Sequence, residues 1–376
     1  MIDIKLVRED PELVKANIKK KFQEGKLALV DRVLELDVEW RKEKKSVDDL
    51  KHERNEVSEA ISELKKAGKD VVKKLKEAKE IPGKIDKIEE KAKKLYDEIK
   101  DILLSLPNIM DASVPDGKDE KDNLELRKWG EIRDFGFKPK GHEDIVEDLD
   151  LVDSVRGAKV AGSRFYYLKG DLVLLNQALQ RFAMDVLIKK GFLPVQTPYM
   201  LNRAAVGGAV SLEDFEESIY KIDGEDLYLI GTSEHALAAL HKDEVINVKE
   251  PIRYAGLSSC FRKEAGSHGK DTKGIFRVHR FEKIEQFVYC EPKDADAVFD
   301  EIIANQEEIF KLLGIPYRVV ALCAGEFSGS MKKTHDLEGW FPAQGKYREL
   351  GSTSNASDYQ ARKMDTKYHT GTGRAL

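Results

Sequence analysis

A seven-residue hydrophobic repeat runs through the first third of this 376-residue chain. It limits the possible folds more than any other feature. With Val33 as position a, the a series reads Val33, Trp40, Val47, Arg54, Ile61, and the d series reads Leu36, Glu43, Leu50, Val57, Leu64. Eight of these ten positions are apolar, in a segment otherwise dense in Lys and Glu. A second run, Ile85, Ile88, Ala92, Leu95, Ile99, Ile102, Leu106, alternates spacings of three and four. A narrow apolar seam of period 3.5 is the mark of a coiled coil. Lys65 to Asp70 reads as the turn between the two runs, so the helices pair antiparallel with each other. Pro82-Gly83 implies a late start or a kink in the second helix. Ahead of the seam, Ile2–Leu6 reads as a short strand. A helix follows, with Asp10 as its cap and Pro11 at its first position.

The chain is 35% charged, above the roughly 25% of average globular chains, which fits a long solvated element. Its formal net charge of -5 neither advertises nor excludes nucleic acid, because a local basic stripe binds phosphates on an acidic protein. Cys260, Cys290 and Cys323 form no CxxC pair and no even disulfide set. No zinc spacing is present, so no structural zinc is expected. With no signal core and no run of 18 apolar residues, a reduced, cytoplasmic setting away from membranes is expected.

Leu106-Pro107-Asn108 closes the helical arm (about 27–106) within an N-terminal domain of residues 1–110, and the polar stretch 111–130 reads as a linker. From 131 to 376 the pattern changes to strands, helices and glycine turns. Arg164 to Leu168, Leu227 to Ile230, Phe281 to Cys290 and Arg318 to Cys323 are strand-like. Leu172, Leu175, Leu179, Phe182 and Val186 mark an amphipathic helix ending near Gly191. Without regular βαβ alternation, GxGxxG or a Walker loop, this is an α+β domain.

Chemistry concentrates in CFRKEAGSHGKDTKGIFRVHRFEKIEQFVYC, Cys260 to Cys290. Two strands joined by a long basic loop place Arg262 and Arg277 over one surface. Guanidinium forks suit phosphates because they donate two hydrogen bonds and stay charged. Phe281 is placed to stack on a base and Glu285 to hold an ammonium group. The competing reading is an edge hairpin with solvated charges. His268 and His279 read as polar loop or strand residues rather than metal ligands. Cys260 and Cys290 flank the hairpin, close enough to approach each other, and read as buried free thiols. Trp40 reads as seam packing.

The same stretch resembles motif 2 of class II aminoacyl-tRNA synthetases in its seryl version. Gly191 to Pro198 with the preceding helix resembles motif 1, and Leu229-Ile230-Gly231-Thr232-Ser233-Glu234 the seryl TxE loop. Asp336 to Pro342 and Arg348 to Arg362 resemble the late active-site strands, and the helical hairpin resembles the tRNA-binding arm. The likeness to seryl-tRNA synthetases of archaeal/eukaryotic type covers nearly the whole chain. It implies a class II catalytic domain, an antiparallel sheet flanked by helices, and a homodimer. It implies ligation of L-serine to tRNA(Ser), and to tRNA(Sec), with ATP and Mg²⁺. Arg262 would bridge the α-phosphate and the serine carboxylate, Glu264 would contact adenine, and Phe281 would stack on it. Arg277 would hold the γ-phosphate, with Lys263 and Val278 beside the nucleotide. Glu349, Leu350, Gly351 and Ser352 would bind ATP, Glu349 and Ser352 through Mg²⁺. Thr232, Ser233, Glu234 and Glu285 would form the serine pocket. Lys65, Lys66, Lys69, Lys73, Lys74 and Lys76, otherwise a solvated face, would meet RNA.

The C-terminus departs from that pattern. Tyr368 to Leu376 echoes motif 3 in compressed form without the helix that should follow. Thr372 and Arg374 carry over as serine and ATP contacts respectively. Omitted residues, truncation and a divergent paralogue each account for the departure. A non-catalytic RNA-binding relative is therefore the rival reading. A coiled-coil interaction protein leaves the Arg262 to Glu285 constellation unexplained.

Overall fold

The computed structural model describes residues 1–210, 218–264 and 274–369, which fall into two compact units, 2–107 and 108–376 together with Met1. The first unit is all helical: α1 (Ile4–Glu9), α2 (Pro11–Lys20), α3 (Leu27–Lys66) and α4 (Val72–Ser105). Of residues 2–6, expected as a strand, Ile4 to Leu6 instead open α1 and Asp3 is its N-cap. The Asp3 carboxylate caps the backbone of Lys5, and Ile2 and Val7 are the buried positions. A five-residue alternation is too short to outweigh a cap. Asp10 caps α2 by accepting from the Leu13 amide, with Pro11 at the first turn, as the sequence indicates. The buried Asp37 carboxylate joins α1 to α3, accepting from Arg8 at 2.5 Å and from Arg41 at 3.0 Å.

The paired helices α3 and α4 form the seam. Val47, Val57, Ile81 and Ile85 make one buried cluster, flanked by Leu50, Ile61 and Ile88. The polar d position Glu43 is only 16% exposed because Lys91 of α4 reaches it at 2.6 Å. The other off-pattern position, Arg54, faces solvent. Arg32–Glu98 and Lys51–Glu89 run in opposite order along the two helices and fix them antiparallel. The turn between the helices is closed by Gly68, whose φ of +65° is the left-handed conformation that ends helices. Helix α4 starts ten residues before Pro82 and runs through it. The late start is thus corrected: an exposed Pro forfeits one backbone bond, and the Ile81–Ile85 contacts on the seam hold the helix together.

In the second unit the elements are β1 (Leu124–Trp129), α5 (His142–Asp148), β2 (Val152–Asp153), α6 (Ser154–Ala161), β3 (Tyr167–Leu168), α7 (Asp171–Lys189), β4 (Leu193–Gln196), β5 (Met200–Leu201) and α8 (Arg203–Ala209). There follow β6 (Tyr228–Leu229), α9 (Ser233–Ala239), β7 (Val245–Ile246), β8 (Ile252–Phe261), β9 (Arg280–Tyr289), α10 (Ala295–Leu312), β10 (Tyr317–Ala321), β11 (Lys333–Phe341), β12 (Lys346–Asn355), α11 (Tyr359–Met364) and β13 (Lys367–Tyr368). Strands β1-β10-β11-β12 form one antiparallel sheet. The other, β4-β8-β9, has β8 and β9 antiparallel over ten unbroken residue pairs and β4 parallel to β8.

Alternation along β9 sorts its side chains. Ile284 and Val288 pack with Leu187, Phe192 and Ala255 on the α7 side. Phe287 packs with Ala209, Ala238 and Met364 of α8, α9 and α11 on the other. Helix α10 covers the four-stranded sheet through Phe299, Ile303, Tyr317, Val319 and Leu337. Cys260 pairs with Phe281 at one end of the β8–β9 ladder, and Cys290 follows Tyr289 at the other. The full length of the hairpin therefore separates the two thiols, which are free. Among the described residues no helix is long and apolar enough to cross a membrane.

Candidate active site

Phe281, Lys283 and Glu285 share the β9 face that looks toward α9, by the same alternation. A Cβ on Gly256, opposite Glu285, would come within 3.0 Å of Ser233, so only glycine lets the start of α9 lie this close to β8. Thr232 caps α9, its hydroxyl accepting from the Glu234 amide at 3.2 Å. The same hydroxyl donates to Glu285 Oε2 at 2.7 Å. Lys283 Nζ lies 2.5 Å from Glu285 Oε2 and 3.2 Å from Thr232 Oγ1. Glu234 accepts from Gln360 Nε2 of α11 at 2.7 Å. Ser233 Oγ is buried with no hydrogen-bond partner among the described residues. Burial, and then the Glu285 charge, push Glu234 above the usual carboxylate range. At Lys283 burial opposes the charge, yet Glu285 outweighs it and the amine stays above its ordinary value. His235, buried behind them, is held neutral: burial and the cations Arg262 and Lys283 lower it to about 3.

Arg262 lies just past β8. Its Nε donates to the Gly231 carbonyl at 3.1 Å, and its guanidinium sits 5.2 Å over the Phe281 ring. Lys263 is tied at its backbone, donating to the Ser218 carbonyl. Glu264 has a φ of +51°, rare without glycine, and its carboxylate pairs with Arg277 at 2.8 Å. Val278 is buried beneath. His279 is a strut, its Nδ1 2.8 Å from the Arg262 carbonyl and its ring stacked on Phe165. Phe276, next to Arg277, touches Phe341 and lies under Arg348, so the hairpin meets the β11–β12 turn.

On that second sheet a bulge at Leu350 decides the geometry. Glu338 pairs with Glu349, Leu337 with Gly351 and Asp336 with Ser352. Residues three apart on a regular strand point to opposite faces, and the extra residue puts Glu349 and Ser352 on one face. Leu350 is 44% exposed and leans on Gly339. Gly351 faces Gln306 of α10. Asp336 is buried beside them, one carboxylate oxygen without a partner among the described residues. Burial and Glu349 raise it to about 7, against a hydrogen bond from Ser352.

The fold thus gathers Thr232, Ser233, Glu234 and Glu285 into one pocket beside Arg262, and sets Glu264, Arg277 and Phe281 along the same hairpin. Glu349, Leu350, Gly351 and Ser352 occupy the neighbouring sheet. Thr372 and Arg374 lie outside the described residues. Sequence reasoning missed Lys283, Gln360 and Asp336. The alternation Phe281-Lys283-Glu285 was a usable signal for Lys283, whereas Gln360 and Asp336 join the site only through tertiary packing.

Residues 1–110 match the seryl-tRNA synthetase N-terminal domain, and residues 217–375 match the class II tRNA synthetase core domain of the G, H, P, S and T enzymes. The serine–tRNA ligase of Pyrococcus horikoshii is 46% identical over 98% of this chain and 86% of its own length. The crystal structure of seryl-tRNA synthetase from Pyrococcus horikoshii complexed with ATP superposes with a TM-score of 0.92 at 45% identity, covering 100% of this chain and 89% of that one. That of the cytoplasmic serine–tRNA ligase from Naegleria fowleri with AMP does so at 0.86 and 37%, covering 98% and 88%. With a helical arm, a TxE pocket beside an arginine-bearing hairpin, and identity of this order along nearly its whole length, the chain belongs to the seryl-tRNA synthetase family.

Proposed function

We propose that this chain activates L-serine with ATP and transfers it to tRNA(Ser), with tRNA(Sec) a second acceptor, working as a homodimer in the cytoplasm. The observation that carries this reading is the juxtaposition of an acidic pocket with Arg262. Glu285 and Thr232 receive the α-ammonium of serine, and Glu234 and Ser233 close the pocket around its side chain. Arg262, tied to Gly231 and braced on Phe281, faces the carboxylate. A zwitterion therefore enters with its carboxylate toward the nucleotide. Phe281 and Glu264 take the adenine, and Arg277 the terminal phosphate. The carboxylate then attacks the α-phosphorus in line, a P–O bond forms as the bond to pyrophosphate breaks, and the 3′-terminal hydroxyl of tRNA later displaces AMP. Both reactants are anions, so positioned guanidinium groups lower the barrier by alignment and charge stabilisation. Mg²⁺ fits the oxygen donors Glu349 and Ser352, beside an Asp336 oxygen that has no partner among the described residues, and when bound would supply charge neutralisation to the phosphates.

Serine-dependent exchange of pyrophosphate into ATP tests this. The full chain should exchange with serine and not with alanine. Arg262→Ala should lose on the order of a hundred- to a thousandfold, about 3–4 kcal/mol of transition-state stabilisation, and Lys263→Ala far less. The contrast rests on the contacts of Arg262 with Gly231 and Phe281. A chain that binds tRNA yet exchanges with no amino acid would be the non-catalytic relative. Near-normal exchange by Arg262→Ala would remove the assignment of the hairpin.

A further inference from the structure

Arg262 sits where the β8–β9 ladder has run out. Strand β8 ends at Phe261 and β9 begins at Arg280. One residue just ahead of β9 takes over from the ladder. The main-chain carbonyl of His279 accepts from the Arg262 amide at 3.0 Å, and its imidazole Nδ1 lies 2.8 Å from the Arg262 carbonyl oxygen. We propose that His279 is a positioning residue for Arg262: its Nδ1–H fixes the peptide plane after Arg262 and so holds the guanidinium on the line between the serine carboxylate and the α-phosphate. This deepens the proposed reaction and rests on the role of Arg262 in it.

A carbonyl oxygen only accepts, so the hydrogen sits on Nδ1. The Tyr220 hydroxyl, 3.1 Å from the same nitrogen, shares it. The ring is held from its face as well, stacked on Phe165 with centroids 4.9 Å apart, and the His279 amide donates to the Arg164 carbonyl at 3.4 Å. The peptide joining Arg262 to Lys263 is thereby tied at both edges. The imidazole binds its carbonyl, and the Ser218 carbonyl accepts its N–H at 2.9 Å. Directly beyond, the chain turns at Glu264 with a φ of +51°. At the other end of the side chain, Gly231 and Phe281 hold the guanidinium. A long side chain tied only at its tip still moves with its root, so a precise guanidinium needs both ends fixed. The main-chain bonds to His279 and Ser218 survive any substitution at position 279 except proline's effect on the chain. Only the bond to the Arg262 carbonyl depends on which side chain stands there.

The test compares two partial copies of the histidine in the full chain. His279→Phe keeps a ring to stack on Phe165 and has no donor. His279→Asn has no ring, but its amide nitrogen is attached at the same branch point as Nδ1. Pyrophosphate exchange gives kcat, serine KM and ATP KM, and thermal unfolding reports stability. His279→Phe should lower kcat by about ten- to a hundredfold, since a misplacement on the order of 1 Å costs up to about a hundredfold. Both KM values should stay within about threefold, because Arg262 acts chiefly as charge develops in the transition state. His279→Asn should recover kcat to within about threefold of wild type. Near-normal kcat in His279→Phe would show the donor to be irrelevant and overturn the proposal. An Asn variant as slow as the Phe variant, or one that does not fold, would show a packing role and overturn it too. If His279→Phe does not fold, His279→Gln replaces it, with its donor one bond further out and the same loss expected; unfolding of both overturns the proposal. Wild type without serine-dependent exchange, or near-normal exchange by Arg262→Ala, removes the underlying reading and the role of His279 with it. Normal wild type and a slow Arg262→Ala beside indifferent His279 variants remove only the latter.

Discussion

Asp111 shows what a single side chain contributes away from the chemistry. Its carboxylate meets Lys332 at 2.8 Å and accepts from the amide and hydroxyl of Ser113 at 3.0 and 2.7 Å. Lys332 foremost, then Ser113, hold it well below the usual carboxylate range. A group depressed in this way stabilises the fold above its unfolded value, about 3.9, and loses that contribution as pH falls through the folded value. Asp111→Asn should therefore destabilise the unit at pH 7 by about 1 kcal/mol, allowing for its partial exposure. Urea midpoints for the two proteins should converge as pH falls below about 4. A gap independent of pH would mean that the charge is irrelevant. At this scale much of the site was legible. Arg262, Glu264, Arg277, Phe281 and Glu285 lie within one stretch whose residue types suit phosphate and ammonium chemistry but equally fit an edge hairpin with solvated charges. The resemblance to motif 2 is what separated the two readings. Lys283 was hidden because a lysine beside a glutamate reads as a solvated pair until the cleft is seen around it. Asp336 was hidden because its burial depends on β12 and the bulge at Leu350.

Among elements, the seam was the most readable, since a 3.5-residue period states both the helix and the face it buries. Its polar interruption Glu43 proved to be paired across the seam with Lys91 rather than exposed. Two readings changed for local reasons: a cap overruled a short alternation at Ile2–Leu6, and neighbouring helical packing removed the late start, one of the two readings of Pro82. The second gives a prediction. Pro82 is exposed and forfeits one intrahelical bond, so Pro82→Ala should stabilise the arm by about 1–3 kcal/mol. Thermal unfolding followed at 222 nm, with limited proteolysis of residues 72–90, checks it. A lower melting temperature would show that the proline relieves a strain in α4.

For the whole molecule, the division into two compact units sets up a test of separate roles. None of the residues placed in the pocket or on the hairpin comes from 2–107. Deleting about Val33 to Leu103 should leave serine-dependent exchange within a few-fold of wild type and lower tRNA charging by at least about tenfold. Collapse of exchange in a folded deletion protein would count against separate roles. Affinity of the intact chain for tRNA should drop by about tenfold or more between 50 and 200 mM salt, because phosphate contacts release counterions. An unchanged affinity would exclude an electrostatic arm interface. Fold class and family could be read from the order of motifs. The parallel placement of β4 could not, since strand order is written in contacts far apart in sequence.

The unbroken β8–β9 ladder is also a ruler. Its face toward α9 has a mark every two residues, about 6.8 Å, so Phe281 and Glu285 stand roughly 13–14 Å apart. That interval sets the length of ligand that can touch both. One residue inserted between them would turn Glu285 to the far face. Two would restore the face but move the mark by about 7 Å, and the two ends of an aminoacyl adenylate would no longer reach both.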